Sequence, residues 1–410
     1  MTPIETPIDR RAFASLLATP FMLPAVGRLA PLRSLVGPKQ ITPPSAEFLK
    51  GLPRMMEIAG VPGVAMGVIK DGRAVWSHHD GLMDSVTKQP VSAETMWPAA
   101  SLSKPVFTLG ALHLVDEGKL DLDRPLKSYV PGHAPDDPRG DKITARHVLS
   151  HSSGLRNWRG RADQPLVPDF EPGTRFQYSG EGIYYLQRAV ERITGMSFTQ
   201  FMEQRVLVPL GMRSSTYLWK GEAAVRLVSG HDQGQVRTNY TKDLFPKLQP
   251  YAETKGKFLD AFTYEDMAAA MATLTPPPPI VPNNMIPNAA GSLLTTIADY
   301  SAFLIEVLSG GNAAVDLKPA TRDEMMKPHT TINSALSWGL GWGIEQPASG
   351  GGGKYLWHWG DNGAWKNFVL VHPESRSGIV LFTNGTRGLN IARRVMTEAS
   401  GEERAAFLWL

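Results

Sequence analysis

The chain has no cysteine. That absence removes disulfides, thiolate nucleophiles and cysteine-ligated zinc together, and a thiol-free chain suits an oxidising or a reducing compartment alike. No uninterrupted apolar run reaches the roughly 18 residues that a spanning helix needs, so a soluble mature protein without stable membrane insertion is expected. Neither sign of charge dominates: 42 Lys and Arg against 39 Asp and Glu leave a formal +3. The basic residues are spread along the chain, which leaves no stripe to follow a phosphate backbone, and nucleic acid is not an expected partner. No serine sits in a Gly-x-Ser-x-Gly elbow, and there is no Walker or dinucleotide glycine pattern. Internal repeats are absent as well.

What is present is enough apolar side chain, 42% of 410 residues, to bury a large core in two or three domains. Residues 1–30 differ from the rest. Arg10-Arg11 precede a mainly apolar run from Ala12 to Val26, with Ala25-Val26-Gly27 as small residues for a signal peptidase. This pattern predicts a twin-arginine export signal and a periplasmic or secreted protein, or a cytoplasmic one if the segment is not a signal.

Periodicity predicts a helix over 46–59, then a hairpin made of Gly63–Ile69, a turn at Asp71-Gly72, and Arg73–Ser77. Helical patterns follow from Ser101 to Glu117, stopping at Gly118, and at about 144–151, 181–194, 198–207 and 295–308. Between 213 and 285 the Pro, Gly and polar content rises, and Pro276–Pro279 excludes regular structure there. Strand patterns return at Trp338–Ile344, Tyr355–Trp359, Asn367–Val371 and Gly378–Phe382, before a final amphipathic helix. Strands at both ends with helices between imply an α/β (α+β) fold. An antiparallel sheet domain from 46–97 plus 290–410 would receive an inserted, mostly helical domain over 98–289, with the active site between them.

Ser101 and Lys104 lie three residues apart at a helix start, so their side chains leave one face and can meet. Pro105 fits the first helical turn, which has no use for its missing N–H. At that end free N–H groups favour developing negative charge, and a buried lysine loses proton affinity, which suits it to activate a serine. Ser-x-x-Lys alone is a weak pattern. Residues 143–155, Ile-Thr-Ala-Arg-His-Val-Leu-Ser-His-Ser-Ser-Gly-Leu, strengthen it, as do Pro172–Ser179, Pro209-Leu-Gly-Met212 and Gly291–Asp299. Together these resemble the serine β-lactamase-like and penicillin-binding-protein-like hydrolases, which include class C β-lactamases, D-amino-acid peptidases and carboxylesterases.

The resemblance implies a β-lactamase/transpeptidase-like fold, no cofactor and no metal, and a second element Tyr178-Ser179-Gly180 where the family has Tyr-x-Asn. Tyr178 then takes the Ser101 proton with Lys104 holding its phenolate, and Gly180 departs from the family's amide-bearing asparagine. His358-Trp359-Gly360 matches the family's Lys-x-Gly or His-x-Gly strand. By alternation His358 faces the cleft while Trp357 and Trp359 enter the core, and Gly360 admits substrate close to the backbone; the resemblance further implies that the N–H groups of Ser101 and Asp361 form the oxyanion hole. His147 and His151, at i and i+4, read as structural. Trp338, Trp342 or Trp365 is a candidate wall for an acyl pocket.

The expected partner is a small-molecule ester, amide or peptide. Histidine at 358 and glycine at 180 favour a carboxylesterase or small amidase over a D-alanyl-D-alanine carboxypeptidase or β-lactamase. A noncatalytic receptor for acyl or peptidoglycan fragments is the alternative of another class.

Overall fold

The first long strand, β1 (Gly63–Lys70), is apolar at nearly every position because both of its faces are covered. Val64, Met66 and Val68 face one apolar core, Ala65 and Ile69 another. The computed structural model describes residues 40–131, 137–161, 164–219, 223, 225–237, 240–310, 315–346 and 353–410. The expected export signal lies outside the described residues.

β1 turns through Asp71 and Gly72, at φ +51° and +72°, into β2 (Arg73–Gly81), as the Asp-Gly signal predicts for a type I′ hairpin. The remaining strands of the sheet come from the far end of the chain: β3 (Thr330–Thr331), β4 (Leu336–Trp338), β5 (Gly343–Glu345), β6 (Tyr355–Asp361), β7 (Lys366–His372) and β8 (Ser377–Thr383). The order is β2-β1-β8-β7-β6-β5-β4-β3, and every neighbouring pair is antiparallel. The sheet is thus completed by both ends of the chain, as expected. Trp338–Ile344, read as one strand, is two short strands around a turn. Gly341 sits there at φ +75° against the Thr108 side chain and donates its N–H to Leu149 O, contacts that local periodicity does not encode.

One face of the sheet is covered by α1 (Ala46–Ala59) and the helix Gly388–Ser400. Ser45 starts α1 by accepting from Phe48 N–H, and Gly60 ends it in the left-handed conformation. The other face packs on α2 (Ser103–Asp116) and the helix Ile297–Ser309. All of α2 from Ser103 to Leu112 is buried, as befits a helix surrounded by structure rather than lying on a surface. A third apolar core gathers Leu218, Trp219, Met285 and Ile286 beneath the helices Tyr240–Lys255 and Tyr264–Ala272. Those two helices fall where the composition suggested mostly loop. Thr263 and Asp266 form a capping box at the second of them, a start signal hidden in a Pro- and Gly-rich region. Pro276–Pro279 is irregular, as its composition requires.

Candidate active site

Ser101 does not lie within α2 but in a single 3-10 turn, Ala100–Leu102, that leads into it. The turn's bonds run from Leu102 N to Ala99 O and from Ser103 N to Ala100 O, so the Ser101 N–H has no partner inside it. Ala100, immediately before the serine, is at φ +59°, a conformation that costs a residue with a Cβ and persists only where the surroundings impose it. The surroundings are visible. Tyr300 and Tyr217 hydroxyls donate to the carbonyls of Leu102 and Ser103, at 3.0 and 2.8 Å. Asn367 Nδ2 donates to Pro98 O at 2.9 Å, and Ala99 N to Leu293 O at 2.8 Å.

Lys104, in the first turn of α2, is 1% exposed. Its Nζ lies 3.0 Å from Ser101 Oγ and 2.7 Å from Ala290 O, and Ser101 Oγ is itself 3.4 Å from Ala290 O. Among the described residues no carboxylate pairs with Lys104. Burial without a counter-ion therefore lowers its pKa from 10.5 to about 7. The Nζ also sits 4.8 Å from the centre of the Tyr178 ring. The Tyr178 hydroxyl is buried and closes no hydrogen bond of good geometry. Burial pushes its pKa well up, and contact with Ser101 opposes this only in part. The structure thus brings Ser101, Lys104 and Tyr178 together, with Lys104 as the group in hydrogen-bond contact with the serine.

The Tyr178 segment is held from behind. His151, buried and at φ +52°, accepts the Ser179 N–H at its Nδ1 (3.1 Å), and its ring lies 4.3 Å from that of Tyr178. Burial, then Lys104, keeps His151 unprotonated. His147 closes the capping box of the helix Ala145–Leu149. Both histidines therefore have structural work. Ser179 caps the helix Gly180–Thr194. At Gly180 a Cβ would lie 2.2 Å from Trp158 Cζ2, so the Trp158 ring fills the space that a side chain at 180 would need. Asn157 Oδ1 accepts the Gly180 N–H at 2.9 Å, and Asn157 lines the cleft.

The strand β6 corrects two expectations. His358 and Trp357 are both 0% exposed, whereas Trp359 lines the cleft, so the cleft-facing member is the tryptophan. His358 Nδ1 bonds to Trp359 O at 2.7 Å, its Nε2 has no partner, and burial, aided by Lys104, lowers its pKa to about 3. Alternation sets the two residues on opposite faces of the sheet, but the end of β6 projects past β5, where the outer face is open to the cleft. Gly360 does not make room for substrate. Its Cβ would lie 2.5 Å from Ala99 O, so the glycine lets β6 press against the turn that carries Ser101.

Asp361 stands at the hairpin end of β6, its carboxylate 2.6 Å from Lys366 Nζ and accepting from Gly363 N–H. Asn362 N–H bonds across the hairpin to Trp365 O. Because successive N–H groups alternate between edges, the Asp361 N–H points away from β7, toward the edge that β5 has left unpaired beyond Trp357.

The cleft in front of Ser101 has a volume of about 540 Å³. Trp365 is the one of the three suggested tryptophans that lines it, while Trp338 and Trp342 are in the core. Asn157, Trp158, Trp219, Asn288 and Asn362 line it too and were not foreseen. Their positions carry no periodic signal, although Asn157 and Trp158 lie two and three residues beyond the 143–155 segment. The only lysine or arginine side chain lining it among the described residues is Lys104.

A serine within hydrogen-bond reach of a buried lysine of lowered pKa, beside a sheet completed by segments from both ends of the chain, is the arrangement that this fold presents at the cleft. The chain belongs to the beta-lactamase family, whose model matches residues 52–398. It is 38% identical over 109 residues to the mitochondrial serine beta-lactamase-like protein LACTB of Mus musculus, 26% of this chain and 20% of that one. To esterase EstB of Burkholderia gladioli it is 29% identical over 187 residues, 38% of this chain and 47% of the esterase. The alignments thus span about a fifth to a half of these relatives. The octameric penicillin-binding protein homologue from Pyrococcus abyssi shares the fold at a TM-score of 0.66 and 20% identity, over 87% of this chain and 77% of that one.

Proposed function

We propose that this chain is a serine hydrolase that cleaves an uncharged carboxylic ester or small amide through an acyl-enzyme on Ser101. The observation that carries the reading is the 3.0 Å approach of Lys104 Nζ to Ser101 Oγ by a lysine whose pKa burial has brought to about 7. Neutral Lys104 takes the Ser101 proton, and Oγ attacks the carbonyl carbon. The resulting oxyanion rests between the N–H groups of Ser101 and Asp361. This assigns to Lys104 the step that the resemblance gave to Tyr178. Burial raises the Tyr178 pKa, which keeps the phenol protonated and so unavailable as the base, but its O–H can relay: Tyr178 gives its proton to the leaving group as its oxygen takes one from protonated Lys104. Water attacking the acyl-enzyme retraces the route, with the proton returning to Ser101.

Charge supports the choice of substrate class. D-alanyl peptides and β-lactams present a carboxylate, and the described cleft offers no free cation to meet it, because Lys104 is engaged by Ser101 and Ala290. His358, where a lysine would serve, is unprotonated and buried. The likeness to a penicillin-binding protein homologue and the expected export signal favour the peptidase or β-lactamase instead, and a receptor without turnover remains the reading of another class.

Intact mass spectrometry after incubation with a fluorophosphonate, on the wild type and Ser101→Ala, tests the proposal alongside turnover of p-nitrophenyl butyrate and nitrocefin. One adduct lost in Ser101→Ala, with the butyrate turned over faster, supports it. Faster nitrocefin turnover selects the β-lactamase, and a folded protein with neither adduct nor turnover selects the receptor.

A further inference from the structure

The cleft does not end at its polar walls. Trp219 and Ile286, which line it, also line a second void behind it, closed by Leu218, Leu244, Leu248, Leu259 and Met267. Leu218 and Leu259 then line a third, of about 460 Å³, which opens to solvent beside Phe258. The three voids share walls in sequence, so they lie in series from Ser101 to the surface beneath the helices Tyr240–Lys255 and Tyr264–Ala272, with the small middle void between the other two. Among the described residues every side chain around the middle void is apolar, and none offers a partner to a water molecule.

We propose that this route is the binding site for an aliphatic chain of the substrate, making the natural ester one with a medium or long alkyl tail. This inference rests on the hydrolase reading of the same site and adds the substrate class to it. Three features commit the occupant to a hydrocarbon chain. The route begins at the reacting centre, so the group that fills it is covalently part of the substrate. Its neck is apolar, which suits a hydrocarbon chain and rejects a peptide, whose amides would go unpaired there, while Gln249, Glu253, Lys257 and Asp260 join the lining only in the outer void. Its outer end carries Phe258, 83% exposed, a large apolar side chain held at the mouth where a chain would emerge.

The middle void holds about 10 Å³, the size of a single water-sized probe, so the neck is shut in the free protein. Its walls are Leu, Ile, Met and one Trp, and Met267 has the flexible side chain best suited to yield. A chain that reaches the neck must part these groups, after which it gains contact on all sides. Chain length is therefore read in two stages, first against Trp219 and Ile286 and then through the neck.

The test is kcat/KM of the full chain on two ester series, p-nitrophenyl esters from acetate to dodecanoate and alkyl acetates from methyl to dodecyl. Each methylene seated in the route raises kcat/KM about fourfold until the route is filled. A rise confined to the first series seats the acyl chain there, and one confined to the second seats the alcohol. Leu248→Trp, which plugs the neck, lowers the ratio of the longest ester over butyrate about tenfold or more. Phe258→Asp, on an exposed side chain whose loss does not threaten folding, lowers the same ratio by removing the outer end of the route. If neither series rises beyond four carbons while Ser101 still takes the fluorophosphonate, the route is not a chain site, and the hydrolase reading stands without it. Absence of both adduct and turnover overturns both.

Discussion

Lys104 is where residue-scale electrostatics becomes chemistry. Its amine is buried against Ser101 Oγ, the Ala290 carbonyl and the Tyr178 ring, with no carboxylate partner among the described residues, so its cation is disfavoured and its pKa falls to about 7. Two consequences separate in measurement. The first is kinetic: kcat/KM for a neutral ester climbs tenfold per unit below about pH 7 and levels above it. The apparent value belongs to the Ser101, Lys104 and Tyr178 unit as a whole. A flat profile from pH 5 to 9 would remove Lys104 as the base. The second is thermodynamic. Between pH 7 and 10.5 the unfolded chain binds this proton and the folded chain does not, so the group's contribution makes stability rise with pH across that window by up to about 1.4 kcal/mol per unit. Lys104→Met lacks that term. Urea denaturation of both proteins at pH 7, 8.5 and 10 should find wild type gaining on the variant as pH rises, with other groups cancelling in the difference. Tyr178→Phe separates the roles further: with Lys104 as the base it still forms the fluorophosphonate adduct, while its kcat on esters with poor leaving groups falls by about 10²-fold.

At the scale of elements, the site is a contact between the end of β6 and the turn before α2, and Gly360 permits it. Gly360→Ala places a Cβ 2.5 Å from Ala99 O, and since that atom is backbone, the strand or the turn must shift. A displacement of the Asp361 N–H by a fraction of an ångström weakens an oxyanion donor whose full loss is worth about 10²–10³ in kcat. The variant should therefore keep its far-ultraviolet circular dichroism and lose most of its kcat on p-nitrophenyl butyrate. Retained kcat would mean that β6 does not supply the donor. The need for a glycine at this position was legible in the sequence, but the reason was not, because it depends on what lies across from residue 360 in space. The same distinction runs through the fold. Alternating or continuous apolar runs marked β1, β6, β7 and β8, whose periodicity is local, and Ser-x-x-Lys marked the helix start that brings Ser101 and Lys104 together. The turn at Gly341 was missed because its cause is Thr108 and Leu149, and the cleft role of Trp359 was missed because it depends on how far β5 runs alongside. The helices over 240–272 were hidden by proline and glycine nearby, and only the Thr263–Asp266 capping box hints at one of them.

At the scale of the whole molecule, three apolar cores surround the candidate cleft, and on the proposed reading the charge around it selects the substrate. Arg159 pairs with Glu181, Lys366 with Asp361 and Arg226 with Glu94, and among the described residues no lysine or arginine other than Lys104 lines the cleft. A carboxylate-bearing substrate would enter by shedding water from its charge and finding no compensating partner, and a charged group left in that state loses at least the strength of one charge-assisted hydrogen bond. An uncharged ester loses nothing comparable and gains from Trp158, Trp219, Trp359 and Trp365. Two esters of the same acyl length and the same leaving group, one ending in a methyl group and one in a carboxylate, isolate this effect. The methyl-terminated ester should exceed its carboxylate partner in kcat/KM by about 10-fold or more, since about 1.4 kcal/mol is a factor of ten and a charge-assisted bond to a buried partner exceeds that. The gap should persist at high ionic strength, because it arises from desolvation inside the cleft and not from long-range attraction that salt would screen. Equal rates, or a preference for the carboxylate that salt abolishes, would place a cation at the cleft and return the peptidase and β-lactamase readings to the front.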